Sequence, residues 1–173
     1  SIADKILSRF SKLSRKVHEV LSYAAVLGKD FSFPQLAELL QTGETVFSQE
    51  ELLSALRIAV EAQLVAETLS EKGEIIYSFT HDKVMETLLN HLREGRLKKL
   101  HLQAAEMLEK QSEDRDYTYR LAYHYLMADK KKKAYEYNLR AGRKAQEMYS
   151  YPLAVKFFLH ALDILGQQKE TTR

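Results

Sequence analysis

The sequence predicts a mainly helical chain carrying one small β-hairpin. Three observations predict it. Only six glycines and two prolines punctuate 173 residues, too few for many short strands. Apolar residues recur at three- and four-residue spacing over most of the chain, the signature of amphipathic helices. A single stretch, Ile75-Ile76-Tyr77-Ser78-Phe79, is dense in β-forming residues.

Taken in order, Ile6, Phe10, Leu13 and Val17, then Val20, Leu21, Ala24, Ala25 and Val26, predict a short helix followed by a longer one. Gly28 is expected to close the second helix in a left-handed conformation. Asp30 to Pro34 restart the chain, with Pro34 in the first turn of a third helix that runs through Leu40. Ser48 and Glu51 make a capping box ahead of Leu52, Leu53, Leu56, Val60 and Leu64, a fourth helix. Leu64 to Thr68, a turn at Gly73 and Ile75 to Phe79 then read as a two-stranded hairpin. Helices followed by a hairpin are the element order of a winged helix, and residues 1–92 are expected to form that module.

Helical spacing returns at Val84, Leu88 and Leu92 and again at Leu97, Leu100, Ala104 and Leu108, with Gly95 as the expected break. Residues 93–113 are read as a connecting helix, and the polar stretch 111–116 as the internal boundary. Residues 114–173 then form an antiparallel helical stack over roughly 117–128, 131–148 and 151–165. There Ala122, Tyr125, Ala134, Tyr137, Ala141, Ala145, Ala154, Phe158, Ala161 and Leu165 alternate small and large apolar side chains. Gly142, Ala154, Phe158 and Ala161 fall in register with a tetratricopeptide-like repeat. About one and a half repeats leave one face of the last helix without a neighbour, so the stack is expected to continue in a longer protein.

The passage Ala24-Ala25-Val26-Leu27-Gly28 with Phe31, Phe33 and Leu36 resembles the helical region that follows the nucleotide-binding core of signal-transduction ATPases with numerous domains. Tyr77 to Asp82, Arg96 to His101 with Ala104, Ala105 and Leu108, and Ala122-Tyr123-His124-Tyr125 continue the likeness, which covers roughly residues 5–165. Members of that group include activators similar to the maltose-regulon regulator and the ATPase modules of sensor kinases and cyclases. The resemblance implies a winged helix followed by superhelical repeats, an ATPase core as a partner in cis, and a protein or small effector at the helical stack.

Chemistry is hard to place. Gly28-Lys29-Asp30 is the nearest fragment to a phosphate-binding loop, and it lacks the remaining positions. No serine sits in a nucleophile elbow and no carboxylate pair stands out as an acid–base couple, so neither catalytic residues nor a cofactor are expected. His81-Asp82 resembles the metal dyad of helical phosphohydrolases, a third functional reading, but Glu86, His91 and His101 supply no recognisable ligand spacing and no metal is assigned. His101, His124 and His160 are read as packing residues.

Charge argues against nucleic acid as a partner. Residues 1–80 carry 8 Lys/Arg against 11 Asp/Glu, and residues 81–173 carry 18 against 13. The helix that would enter DNA holds Glu50, Glu51 and Glu61 against Arg57, and the hairpin holds Glu67, Glu71 and Glu74 against Lys72. A DNA-binding winged-helix regulator with a helical dimerisation domain is therefore the alternative to a non-catalytic regulatory segment. The expected contact residues are Tyr119, Tyr123 and Tyr137 on the concave side of the stack, and the basic cluster Arg93, Arg96, Lys98 and Lys99, which would face an acidic surface of the ATPase core. Lys130 to Lys133 are read as an exposed turn. With no cysteine, no apolar run near the ~20 residues that span a bilayer and no leader-like zones, a cytoplasmic protein without membrane contact is expected.

Overall fold

The computed structural model describes residues 2–112 and 115–171, with side chains described over 4–112 and 115–167. Twelve elements follow one another: α1 (Ile2–Ser11), α2 (Arg15–Leu27), β1 (Asp30–Ser32), α3 (Phe33–Leu40), α4 (Gln49–Glu61), β2 (Val65–Leu69), β3 (Ile75–Phe79), α5 (Asp82–Asn90), α6 (Glu94–Lys110), α7 (Thr118–Met127), α8 (Lys131–Glu147) and α9 (Tyr151–Thr171). The chain is mainly α with a small antiparallel sheet. Two compact units divide within α6, one covering Ser1–Leu100 and the other His101–Arg173. Of the polar stretch read as a boundary, Glu113 and Asp114 lie outside the described residues.

The first unit is organised by α2. Its C-terminal half, Val20 to Leu27, is buried on every side, as a helix that is apolar all round must be. It touches α3, α4, α5 and β1. Ser14 caps its start, accepting the Val17 amide. Gly28 ends it at φ 119°, a positive value that favours glycine although it lies outside the left-handed helical well expected there.

The hairpin β2–β3 forms where the sequence places it, with Val65 opposite Phe79 and Leu69 opposite Ile75. A third strand was not foreseen. β1 pairs antiparallel with β3, Phe31 opposite Tyr77, so that β3 is central in the order β1-β3-β2. Phe31 is buried against Tyr77 and Phe79 at 5.7 Å from each ring, and Ser78 Oγ donates to Asp30 Oδ1 at 2.5 Å. Three residues between Gly28 and Pro34 carry no alternation of their own; the partner strand makes them a strand.

Helices α3 and α4 start on reciprocal capping boxes, Ser48 with Glu51 as expected and Ser32 with Gln35 in addition. The break between α5 and α6 is displaced from Gly95. It falls at residues 91–93, and Gly95 sits in the first turn of α6, where a Cβ would meet nothing within 4 Å. Solvent exposure lets a glycine stand in that turn without breaking it.

The second unit stacks α7, α8 and α9 through two similar three-residue turns. Asp129 and Tyr149 adopt φ 55° and 58°, and the following amides, Lys130 and Ser150, return to the carbonyls of Tyr125 and Ala145, the Schellman way of ending a helix. Ala122, Ala134, Ala141, Ala145, Ala154 and Ala161 are all buried. A Cβ added to Gly142 would overlap the Phe158 ring, so the small-against-large pairing read from the sequence is realised between α8 and α9. Buried Asn138 holds the three helices in register. Its Nδ2 donates to the carbonyls of Ala122 (3.3 Å) and Ala134 (2.8 Å), and His160 Nδ1 donates to its Oδ1 at 3.3 Å.

Candidate interaction surfaces

The basic cluster does not act as one surface. Arg96 extends from α6 back to α2, donating to the Tyr23 hydroxyl at 3.0 Å and lying 3.6 Å from Glu19, with its guanidinium 5.6 Å from the Tyr23 ring centre. Glu19 also accepts from Thr45 Oγ1. Arg96 is thus tied to structure, and Lys98 pairs with Glu94 one turn away at 2.9 Å. Arg93 and Lys99 are exposed.

The three tyrosines separate as well. Tyr119 and Tyr123 stand one turn apart on α7. Tyr119 stacks flat on Phe157 of α9, 5.3 Å between ring centres, with the Lys144 ammonium 4.8 Å from its ring. Tyr123 is 40% exposed and turns its ring edge-on to His101 at 5.4 Å. Tyr137 instead stacks on Tyr125 and belongs to a different cluster.

That cluster surrounds Glu109 of α6. Its carboxylate accepts from Tyr125 Oη (2.5 Å), Tyr137 Oη (2.7 Å) and Lys133 Nζ (2.6 Å). Burial works to raise this carboxyl, but the three donors outweigh it and hold it at about 2. Burial first, and the anion second, push the Tyr137 hydroxyl up to about 12 and raise that of Tyr125. Lys133, read from sequence as part of an exposed turn, is the lysine of this knot. A carboxylate whose acceptors are filled by its own chain is a fastener of α6, α7 and α8 rather than a base.

The histidines sort in the same way. His101 Nδ1 lies 2.9 Å from His124 Nδ1 with both rings fully buried. Burial lowers His101 to about 4, so its ring is neutral at pH 7, and one proton can lie between the facing nitrogens. His81 is the N-cap residue of α5 without a side-chain capping bond, and Asp82 is exposed in the first turn, 3.6 Å from Lys29. His91 Nδ1 meets the Thr87 carbonyl at 2.6 Å. Among the described residues, no group of three His, Cys, Asp or Glu converges to hold a metal.

Comparison with protein-family models, with curated proteins and with solved structures finds no match.

The last helix, α9, leaves one face without a neighbour among the described residues, as the short stack implied, and that face is apolar. Tyr151, Val155, Leu159, Leu162 and Leu165 are 56%, 56%, 54%, 62% and 37% exposed, while Ala154, Phe157, Ala161 and Ile164 are buried on the same helix. Leu165, read as core, therefore lies at the edge of the solvent face. Two interleaved apolar stripes on one helix are the sequence signal for this face. A shallow cleft of about 210 Å³ adjoins this helix, lined by Leu126, Asp129, Lys131, Ala134, His160 and Asp163 among others. No helix among the described residues is long and apolar enough to cross a membrane.

Proposed function

We propose that this chain is a non-catalytic protein-interaction segment that serves as the regulatory arm of a cytoplasmic signal-transduction ATPase. The observation that carries this is the apolar outer face of α9, five large side chains turned to solvent on a helix whose other face buries Ala154, Phe157, Ala161 and Ile164. An exposed apolar stripe of this size, rimmed by charge, marks a protein contact. The ordering of the first unit, helices α2 to α4 and then the β2–β3 hairpin completed by β1, supports a winged helix docked beside an ATPase core. The second unit supports a tetratricopeptide-like stack as the effector-sensing part.

The DNA-binding alternative is disfavoured by the exposed side chains of α4 and the hairpin. Glu50, Glu61, Glu67, Glu71 and Glu74 outnumber Arg57 and Lys72 there, and a phosphate backbone needs the opposite sign. The test uses the ATPase that carries this segment. Leu162→Lys should leave ATP affinity unchanged and alter effector-stimulated hydrolysis at least about tenfold, a change of ~1.4 kcal/mol in coupling. Unaltered stimulation, or a low-salt gel shift of duplex DNA by the chain alone, overturns the proposal.

A further inference from the structure

On the basis that α9 is an interaction surface, we infer that its occupant is a second copy of this chain, α9 packing antiparallel on α9 about a two-fold axis near Leu159 and His160.

The spacing of the outer face points to a helix as the occupant. Val155, Leu159, Leu162 and Gly166 recur in steps of four, three and four residues, the seam of a two-helix coiled coil. Val155, Leu159 and Leu162 are each more than half exposed, and a Cβ on Gly166 would meet nothing within 4 Å. The heptad closes consistently. Residues 157, 161 and 164, on the far side of the seam, are the ones buried within the unit.

The two flanks of the seam decide orientation and partner. One flank holds Lys156 and Asp163, opposite charges seven residues apart, each immediately after a seam residue and each exposed. On the other, Leu165 is 37% exposed, while Phe158 turns its ring inward against Gly142. In a parallel pair, one flank meets the other flank of the partner, which would leave Lys156 and Asp163 beside apolar Leu165 without an opposite charge. In an antiparallel pair, each flank meets its own counterpart. Lys156 then faces Asp163 of the second copy and Asp163 faces Lys156, while the flank that holds Leu165 meets its own counterpart. The surface is self-complementary only under a two-fold axis, which is what an isologous contact requires.

The area is sufficient for a weak specific dimer. The exposed fractions of the five side chains correspond to about 500 Å² of apolar surface per copy, and the two-fold contact therefore removes about 1,000 Å², the lower bound for a specific interface. A dissociation constant in the micromolar range is expected.

Sedimentation equilibrium of the full chain between about 1 and 500 µM tests this, with circular dichroism confirming that each variant is folded. The wild type should follow a monomer–dimer equilibrium, and Leu159→Asp should weaken it at least about tenfold, ~1.4 kcal/mol. Lys156→Glu, which faces two like-charged pairs, should weaken it by about tenfold, and the swapped pair Lys156→Glu/Asp163→Lys should return it to within about threefold of wild type. Because the chain has no cysteine, Leu159→Cys supplies a lone thiol near the axis and should oxidise to a covalent dimer. A chain that stays monomeric, a dimer indifferent to Leu159→Asp, or a charge swap as weak as its single variant overturns the two-fold contact. An effect of Leu162→Lys on ATP hydrolysis in a chain that stays monomeric would sink this inference alone and leave the regulatory-arm proposal standing.

Discussion

Acidification from pH 7 to pH 5 is expected to remove about 2 kcal/mol from the stability of the second unit through His101 alone. With 2.9 Å between the two Nδ1 atoms, the facing nitrogens can share one proton; a second would set N–H against N–H between buried rings. His101 Nε2 is itself buried without a hydrogen-bond partner, so a charge on the ring has nothing to receive it. Burial accordingly lowers the folded value to about 4 from an unfolded value of 6.5. Below pH 6.5 the unfolded chain takes up a proton that the folded chain refuses, so stability falls as pH falls until the folded value is reached. At pH 5 the linkage amounts to about 2 kcal/mol, and the full loss approaches ~3 kcal/mol near pH 4. Urea unfolding followed by circular dichroism at half-unit pH steps from 7 to 5 measures the slope. His101→Leu removes this proton and should flatten the slope over that window, whatever its effect on stability at pH 7. Equal slopes in wild type and variant would refute the reasoning, because the proton uptake would then belong to other groups.

Three further outcomes follow from the packing. Gly142→Ala drives a methyl into the Phe158 ring and should cost about 1–3 kcal/mol, measured by thermal unfolding, with Phe158→Leu in the same chain recovering part of the loss. Glu109→Gln removes the anion that Tyr125, Tyr137 and Lys133 share. It should lower stability by about 1–2 kcal/mol and bring the Tyr137 hydroxyl down from about 12, visible as an earlier phenolate rise in the ultraviolet titration. Tyr149 holds φ 58° at the turn between α8 and α9, and Tyr149→Gly should raise the unfolding free energy by about 0.5–1 kcal/mol, the left-handed strain of a bulky residue outweighing the extra freedom of glycine in the unfolded chain.

Most elements were legible in the sequence because their determinants are local. Ser48 and Glu51 lie three residues apart and cap each other within one turn. The apolar spacing of α2 is a property of thirteen consecutive residues. Gly73, at φ 75°, sits where the β2–β3 turn needs it. The misplaced break at Gly95 shows the limit of that logic, since a glycine interrupts a helix only where its surroundings do not support one.

The tertiary structure decided everything that depends on a distant partner. β1 is a strand because β3, more than forty residues on, offers its free edge. Glu109, Tyr125, Lys133 and Tyr137 come from three helices and converge through helix packing, a relation that no spacing within one helix encodes. The same packing withdrew Arg96 and Tyr137 from the expected contact surface and gave them intramolecular partners. On α9 the sequence holds two apolar stripes of nearly equal strength. The contact of Phe158 with Gly142 turns one of them inward and leaves Val155, Leu159 and Leu162 facing solvent. Composition and period determined that α9 is a helix; steric fit against α8 determined which of its faces remains exposed.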